Sequence, residues 1–166
     1  MKDSIDRAEM IDAIAPCAFC CFTCAAKKNG VIEESSKKLN HYLEGYYEFN
    51  KKVLPFRYRN YSKKIKELVT QLEKFSDRPC NGCRNGADER CCIPDCFIEK
   101  CTREHNVDFC GECDEFPCKR ALDFFAGENL KEWKSNNEKI RNSSPEDFYR
   151  YAVSKSHYLH FKSENE

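Results

Sequence analysis

Thirteen cysteines carry the most distinctive chemistry of this chain. Four of them lie between residues 17 and 24, nine lie between residues 80 and 118, and the 55 residues in between contain none. Thiolate sulfur is a strong ligand for zinc and for iron–sulfur clusters. The clustering therefore indicates that the cysteines form specific sites and are not a background composition.

Several cysteines occur as pairs separated by two residues. These pairs are Cys17/Cys20 or Cys21/Cys24, Cys80/Cys83, and Cys110/Cys113. The spacing lets both sulfurs reach one metal while the turn between them donates N–H groups to the sulfurs. Gly82 and Gly111 lie inside two of these turns, where the backbone tolerates a positive φ. Repetition of the pair within one chain predicts metal binding.

The type of ligand leaves two kinds of metal open, because soft thiolates suit both zinc and iron–sulfur clusters. We expect two or three zinc ions as the cofactor. The alternative is a 4Fe-4S cluster at Cys17, Cys21 and Cys24, since the spacing Cys-x-x-x-Cys-x-x-Cys can hold three corners of such a cluster.

Eleven cysteines are predicted metal ligands. They are Cys17, Cys21, Cys24, Cys80, Cys83, Cys92, Cys96, Cys101, Cys110, Cys113 and Cys118. If Cys20 and Cys91 are spare, three ligands serve an N-terminal cluster and eight form two four-cysteine zinc sites. With His105 as a twelfth ligand, three four-ligand sites result, although we favour a surface position for His105.

Enzymatic interpretations find little support in the sequence. A thiol–disulfide oxidoreductase would place its cysteine pair in a thioredoxin-like βαβ context, and no strand pattern surrounds the pairs. The radical S-adenosylmethionine enzymes use the three-cysteine spacing, but 166 residues are too few for their barrel. We therefore assign no activity and lean towards a protein that is not an enzyme.

The charges are balanced overall and segregated along the chain. Lys plus Arg and Asp plus Glu each number 28, so no global field attracts nucleic acid or anionic membrane. Residues 27–75 hold 12 basic and 6 acidic residues, whereas residues 80–118 hold 4 and 9. Two arrangements remain open. In one, a basic helical layer lies beside an anionic metal layer; in the other, the two regions form separate solvated faces that never meet. The basic part is also rich in tyrosine, but we favour a helical core with a solvated basic side over a nucleic-acid surface.

No membrane or secretory segment is expected. No apolar run approaches the roughly 18 residues of a membrane helix, and the charged segment 1–7 leads into no apolar stretch typical of a signal peptide. We expect a soluble, cytoplasmic protein whose thiols stay reduced. The expected partners are metal ions, and a protein partner is left open.

The apolar pattern predicts a mainly α fold with irregular cysteine-rich metal-binding loops, in a single domain. Its parts are an N-terminal cysteine motif (1–26), a helical insert (27–79), a cysteine-rich metal-binding region (80–118) and C-terminal helices (119–166). In the insert we expect one helix from residues 35–36 through Phe49.

Three further local signals predict helices. A break at residues 54–56 precedes a helix over 61–75 with Ser62 as its N-cap. Near the C-terminus, a short helix should end near Gly127 and a second should carry Trp133 and Ile140. Ser144 followed by a proline predicts the start of a third helix, and the last ten residues should be frayed.

The complete cysteine pattern resembles a family of bacteria and archaea known as domain of unknown function 3795. The matching segments are Ala15–Cys17 with Cys21 and Cys24, then Cys80–Cys83, Cys96–Cys101, and Cys110–Cys118 with its Glu-Phe-Pro-Cys ending. The surroundings of Trp133 and Asn137 also resemble those of the family's longer members. Ala18 stands where the family often has glycine, and Cys20 is an additional cysteine. The resemblance implies metal binding, with zinc the usual expectation, and implies no reaction.

We conclude from the sequence that the chain is a metal-binding, cysteine-rich protein. Structural zinc sites in an interaction module are the favoured interpretation, and an iron–sulfur protein with a redox or metal-handling role is the alternative.

Overall fold

The computed structural model describes residues 5–53, 59–85, 93 and 95–162. These residues are mainly helical and contain no strand, which confirms the predicted class of helices joined by irregular cysteine-rich segments. The helices are α1 Arg7–Ala13, α2 Val31–Leu43, α3 Tyr46–Val53, α4 Arg59–Phe75, α5 Ile98–Glu104, α6 Lys119–Phe124, α7 Gly127–Asn142 and α8 Pro145–Val153. Short 3-10 turns lie at Cys83–Asn85, Cys110–Glu112 and Leu159–Phe161.

The backbone divides into two compact units. Residues 1–24 and 80–166 form one, which we call the cysteine unit, and residues 25–79 form the other, the helical unit. The boundaries fall close to the limits predicted for the helical insert. The prediction of a single domain stays a prediction.

In the helical unit, α4 packs against α2 and α3, with Ile65 of α4 in the core. The helix predicted over 61–75 is confirmed, although it begins at Arg59, so Ser62 lies inside it and is not its N-cap. The predicted break at residues 54–56 lies outside the described residues.

The first helix of the helical unit differs from the prediction at both ends. It begins at Val31, because Gly30 occupies the N-cap position and the Glu33 carboxylate accepts the N–H of Asn29 at 2.7 Å. It does not run through Phe49. Gly45 adopts a φ of +74°, which ends the helical path and separates α2 from α3.

In the cysteine unit, α7 lies at the centre. It contacts α8 and both the Cys110–Glu112 and Leu159–Phe161 turns. Trp133 and Ile140 of α7 are buried in two different hydrophobic clusters, which confirms the predicted helix. The short helix predicted to end near Gly127 is α6, which ends at Phe124, and Gly127 is the first residue of α7.

The C-terminal signals are partly confirmed. Ser144 caps α8 by accepting the N–H of Asp147 at 3.1 Å, and Pro145 is the first helical residue, as predicted. The prediction that the last ten residues are frayed is wrong for 159–161, because their 3-10 turn packs on α7. No helix in the described part of the chain combines the length and apolar character needed to cross a membrane.

Candidate metal centre

The backbone around Cys110 is held by a carboxylate three residues beyond Phe109. Glu112 Oε2 accepts the N–H groups of Asp108 and Phe109, both at 3.0 Å. Within the turn, the N–H of Cys113 donates to the carbonyl of Cys110 at 3.1 Å. These bonds fix the loop that carries the Cys110/Cys113 pair without using either thiol.

Four predicted ligands meet around this loop. Cys101, Cys110, Cys113 and Cys118 line one cavity of about 30 Å³; we call them the Cys110 group. Burial raises the pKa of Cys110 to about 12, and the thiols of Cys101, Cys118 and Cys113 add to the effect. Burial likewise raises the pKa of Cys101. In the absence of a cation, burial therefore favours the neutral thiols of Cys110 and Cys101.

Trp133 forms part of the same cavity wall. The residue is fully buried, and its indole N–H makes no hydrogen bond of ordinary geometry. The N–H nevertheless lies close enough to the Cys110 sulfur to oppose the rise in the pKa of that thiol. We interpret the indole N–H as a donor directed at the Cys110 sulfur. It makes no hydrogen bond to the neutral thiol, because a thiolate is the much stronger acceptor.

A second set of four thiols surrounds Cys17. Burial raises the pKa of Cys17 well above its ordinary value, and the nearby thiols of Cys83, Cys21 and Cys96 raise it further. All four side chains belong to the hydrophobic cluster around Trp133. We call this set the Cys17 group. It joins residues from both cysteine blocks of the sequence.

Arg84 is a half-buried cation beside the Cys17 group. Its guanidinium donates to the carbonyls of Ile11 at 2.7 Å, Ile14 at 2.6 Å and Asp108, and lies over the Phe109 ring. Burial lowers its pKa, while the Asp108 carboxylate and the Cys21, Cys17 and Cys83 thiols raise it. The sequence analysis missed this residue. Its one signal is its place directly after Cys83.

Asn137 links the two cysteine segments. Its Oδ1 accepts the N–H of Gly111 at 2.7 Å, and its Nδ2 donates to the carbonyls of Cys17 at 3.0 Å and Trp133 at 2.8 Å. The side chain is completely buried. The family resemblance includes Asn137 but gives it no role, and the structure identifies it as a clamp between the two loops.

The two glycines of the cysteine pairs serve different purposes. Gly82 adopts a positive φ, of +92°, whereas Gly111 does not. Gly111 is needed because a Cβ at this position would overlap the carbonyl oxygen of Asn137. The close approach lets α7 contact the loop directly.

The other predicted ligands have different surroundings. Cys24 Sγ lies 3.6 Å from the hydroxyl oxygen of Tyr158. Cys80 Sγ accepts the N–H of Gly82 at 3.4 Å. Cys92 lies outside the described residues. Of the three cysteines predicted as ligands of the alternative 4Fe-4S cluster, Cys17 and Cys21 thus lie in one group. The third, Cys24, lies beside the C-terminal segment.

The residues treated as spare or doubtful also differ. Cys20 is buried in the hydrophobic cluster that does not contain Trp133, and Cys91 lies outside the described residues. His105 is exposed, as expected, although it borders the Cys110 cavity. Among the residues that the structure describes, no three His, Cys, Asp or Glu side chains are already arranged to coordinate a metal ion.

Comparison with known proteins places the chain in a family without naming its function. No curated protein and no solved structure gives a significant match. A family model described as a protein of unknown function (DUF3795) matches residues 13–123, about two thirds of the chain. Because this match covers about two thirds of the chain, including all eleven predicted ligands and both cysteine groups, the chain belongs to the DUF3795 family.

Proposed function

We propose that the protein binds zinc through two sets of four cysteines, the Cys110 group and the Cys17 group, and that the ions stabilise its irregular loops. The observation that carries the proposal is the convergence of four thiols on one cavity of about 30 Å³. That space exceeds the roughly 10–15 Å³ a water-sized sphere needs, and four thiolates are a common ligand set of structural zinc.

The residues present fit such an ion in three respects. The donors are soft sulfurs, which zinc accepts. The neutral state that burial imposes on Cys110 would be reversed by a bound cation, since coordination deprotonates a thiol. The unpaired N–H of Trp133 would then have a thiolate to donate to. Binding requires the four sulfurs to close in, because tetrahedral zinc holds each at about 2.3 Å.

The Cys17 group is the proposed second site. Arg84 supplies a fixed positive charge next to it, which would offset part of the net negative charge of a tetrathiolate zinc site. A bound ion would act as a cross-link between the loops and would lend its binding free energy to folding. No residue is assigned a catalytic role in this proposal.

An interaction role and a reducing location complete the proposal. The helical unit exposes large apolar side chains, including Tyr42, whose exposed fraction is 72%, and Val53, at 61%. Such side chains are typical of contact surfaces when they form patches. No two of the described cysteines are joined in a disulfide, which agrees with a cytoplasmic setting.

The test is elemental analysis of protein purified without oxygen and without chelator. We expect two zinc ions per chain, falling to one in Cys113→Ser and to one in Cys96→Ser, because each removes a ligand from a different group. Circular dichroism checks that the variants keep their helices. Cys20→Ser is the matched control, adjacent to a ligand, and should retain both ions.

Other outcomes separate the alternatives. Iron together with acid-labile sulfide, both lost in Cys24→Ser, would indicate that the N-terminal site holds the three-cysteine iron–sulfur cluster and not zinc. Unchanged zinc in Cys24→Ser would support the grouping of Cys17 with Cys83 and Cys96. The absence of any bound metal, before and after incubation of the reduced protein with zinc, would refute the proposal.

A further inference from the structure

A cleft of about 170 Å³ opens in the cysteine unit away from both thiol groups. Its walls include the rings of Phe19, Tyr151, His157 and His160, and the polar side chains of Glu132 and Asn136. Most of these residues lie after residue 123, beyond the family match. A cavity with aromatic walls and a few convergent polar groups is the usual form of a small-molecule site.

The two histidines offer lone pairs and not N–H groups for a ligand. His157 Nδ1 lies 2.8 Å from the carbonyl oxygen of Cys20, so this nitrogen carries the proton and Nε2 is the acceptor. Burial lowers the pKa of His157, which keeps the ring neutral. His160 Nε2 lies 3.4 Å from Asn129 Oδ1, which leaves Nδ1 as its acceptor.

On the polar wall, Asn136 and Glu132 also present acceptors to a ligand. Asn136, whose exposed fraction is 5%, uses its two amide hydrogens on the carbonyl of Ala18 at 3.1 Å and on Glu132 Oε1 at 2.9 Å. What Asn136 can still offer is its Oδ1, and Glu132 retains acceptor capacity on its carboxylate. The cleft thus combines acceptors, the negative charge of Glu132 and aromatic faces, together with two donors, the Ser156 hydroxyl and the Lys155 ammonium.

One cation already uses an aromatic face at this site. Lys155 places its Nζ 3.8 Å from the centroid of the Tyr151 ring, and Lys155 is exposed at the cleft. Aromatic faces attract ammonium and guanidinium groups. The same lining would favour a cation that enters from solvent, and Lys155 would compete with it.

We propose that this cleft binds a small organic cation, an alkylammonium or alkylguanidinium ion, whose N–H groups donate to Glu132, Asn136 and the two histidines. At roughly 30 Å³ for each water-sized group, the volume accommodates about six non-hydrogen atoms. An ion of this size matches butylammonium or a short alkylguanidinium. The site is independent of the proposed zinc sites, since it uses none of their ligands.

The experiment is calorimetric titration of the purified protein, with its metal content unchanged, against butylammonium and ethylguanidinium. Butyrate and butanol, of matched length, are the anionic and neutral controls. We expect the cations alone to bind. Glu132→Gln should weaken their binding about tenfold or more, whereas Lys155→Met should strengthen it.

Glu138→Gln is the matched control, because Glu138 is exposed on the same helix, and it should leave the affinity unchanged. Equal binding of butyrate, or an unchanged affinity in Glu132→Gln, would overturn the proposal. The alternative occupant of the cleft is a divalent metal ion bound by the two histidines. It is tested by titrating Ni²⁺ while the histidine ring signals are recorded by NMR. Shifts of His157 and His160 with Ni²⁺ but not with the amines would also overturn it.

Discussion

Replacement of Asn137 by alanine tests whether this side chain holds the two cysteine loops together. Two of its hydrogen bonds reach outside its own helix, to the N–H of Gly111 and to the carbonyl of Cys17. Both partners lie in buried residues. Each would lose its partner in a place that water does not readily reach, so each carries the cost of an unpaired buried group.

The size of the effect can be estimated from these two groups. An unpaired buried donor or acceptor costs about 1–3 kcal/mol, so Asn137→Ala should lower the free energy of unfolding by about 4 kcal/mol. For a chain of this length, that corresponds to a fall in the melting temperature of roughly 12 °C. Urea unfolding followed by circular dichroism, at equal metal content, measures the change.

Two variants make the result interpretable. Asn142→Ala changes an exposed asparagine of the same helix and should alter stability by less than about 0.5 kcal/mol. Asn137→Leu keeps the number and branching of the side-chain heavy atoms, so any loss it shows does not arise from a cavity. A loss below about 1 kcal/mol in Asn137→Ala, or wild-type stability in Asn137→Leu, would refute the reasoning.

Three further predictions concern the same unit. Gly111→Ala should lower the free energy of unfolding, measured with urea, by about 2–3 kcal/mol because its Cβ overlaps the backbone of Asn137. Gly127→Ala should lower it by about 1–2 kcal/mol, because the position has open space but a φ of +55°. In metal-free protein, the pKa of Cys110 is about 12 when folded against 9.0 ordinarily. The folded state therefore retains a proton that the unfolded chain loses, and stability should fall as pH rises from about 9 to 12; Cys110→Ala should reduce this slope in urea unfolding. Ser144→Ala should cost about 1 kcal/mol by loss of the α8 cap, and equal urea midpoints for Ser144→Ala and wild type would contradict that estimate.

The sequence was most informative where the determinant is local. The N-cap at Ser144 and the apolar face around Ile65 depend on residues within a turn or two of each other, so spacing alone predicted both helices. The boundary of α2 depends on Gly30 and on a bond from Asn29 to Glu33. The break at Gly45 was missed because a single glycine is tolerated in many helices.

The grouping of the cysteines could not be read from their spacing. Cys17 has Cys83 and Cys96 as neighbours, more than sixty residues away, and no count of ligands gives that arrangement. The spacing of the cysteine pairs also gives no indication of the polar residues that hold the loops. Arg84 and Asn137 are ordinary residue types with no periodic signal, and their importance arises from burial among backbone carbonyls.

The scaffold of the thiol groups is independent of the thiols themselves. Asn137 and Glu112 hold the Cys110 loop through backbone groups, and Arg84 holds the start of the chain in the same manner. Burial meanwhile keeps Cys17 and Cys110 protonated. A metal ion that binds here must displace those protons, so its affinity would rise with pH. The metal-free fold has the opposite dependence, because it loses stability as the same protons leave. The pH dependence of metal affinity and that of metal-free stability therefore distinguish a site that binds metal from a core that merely contains cysteine.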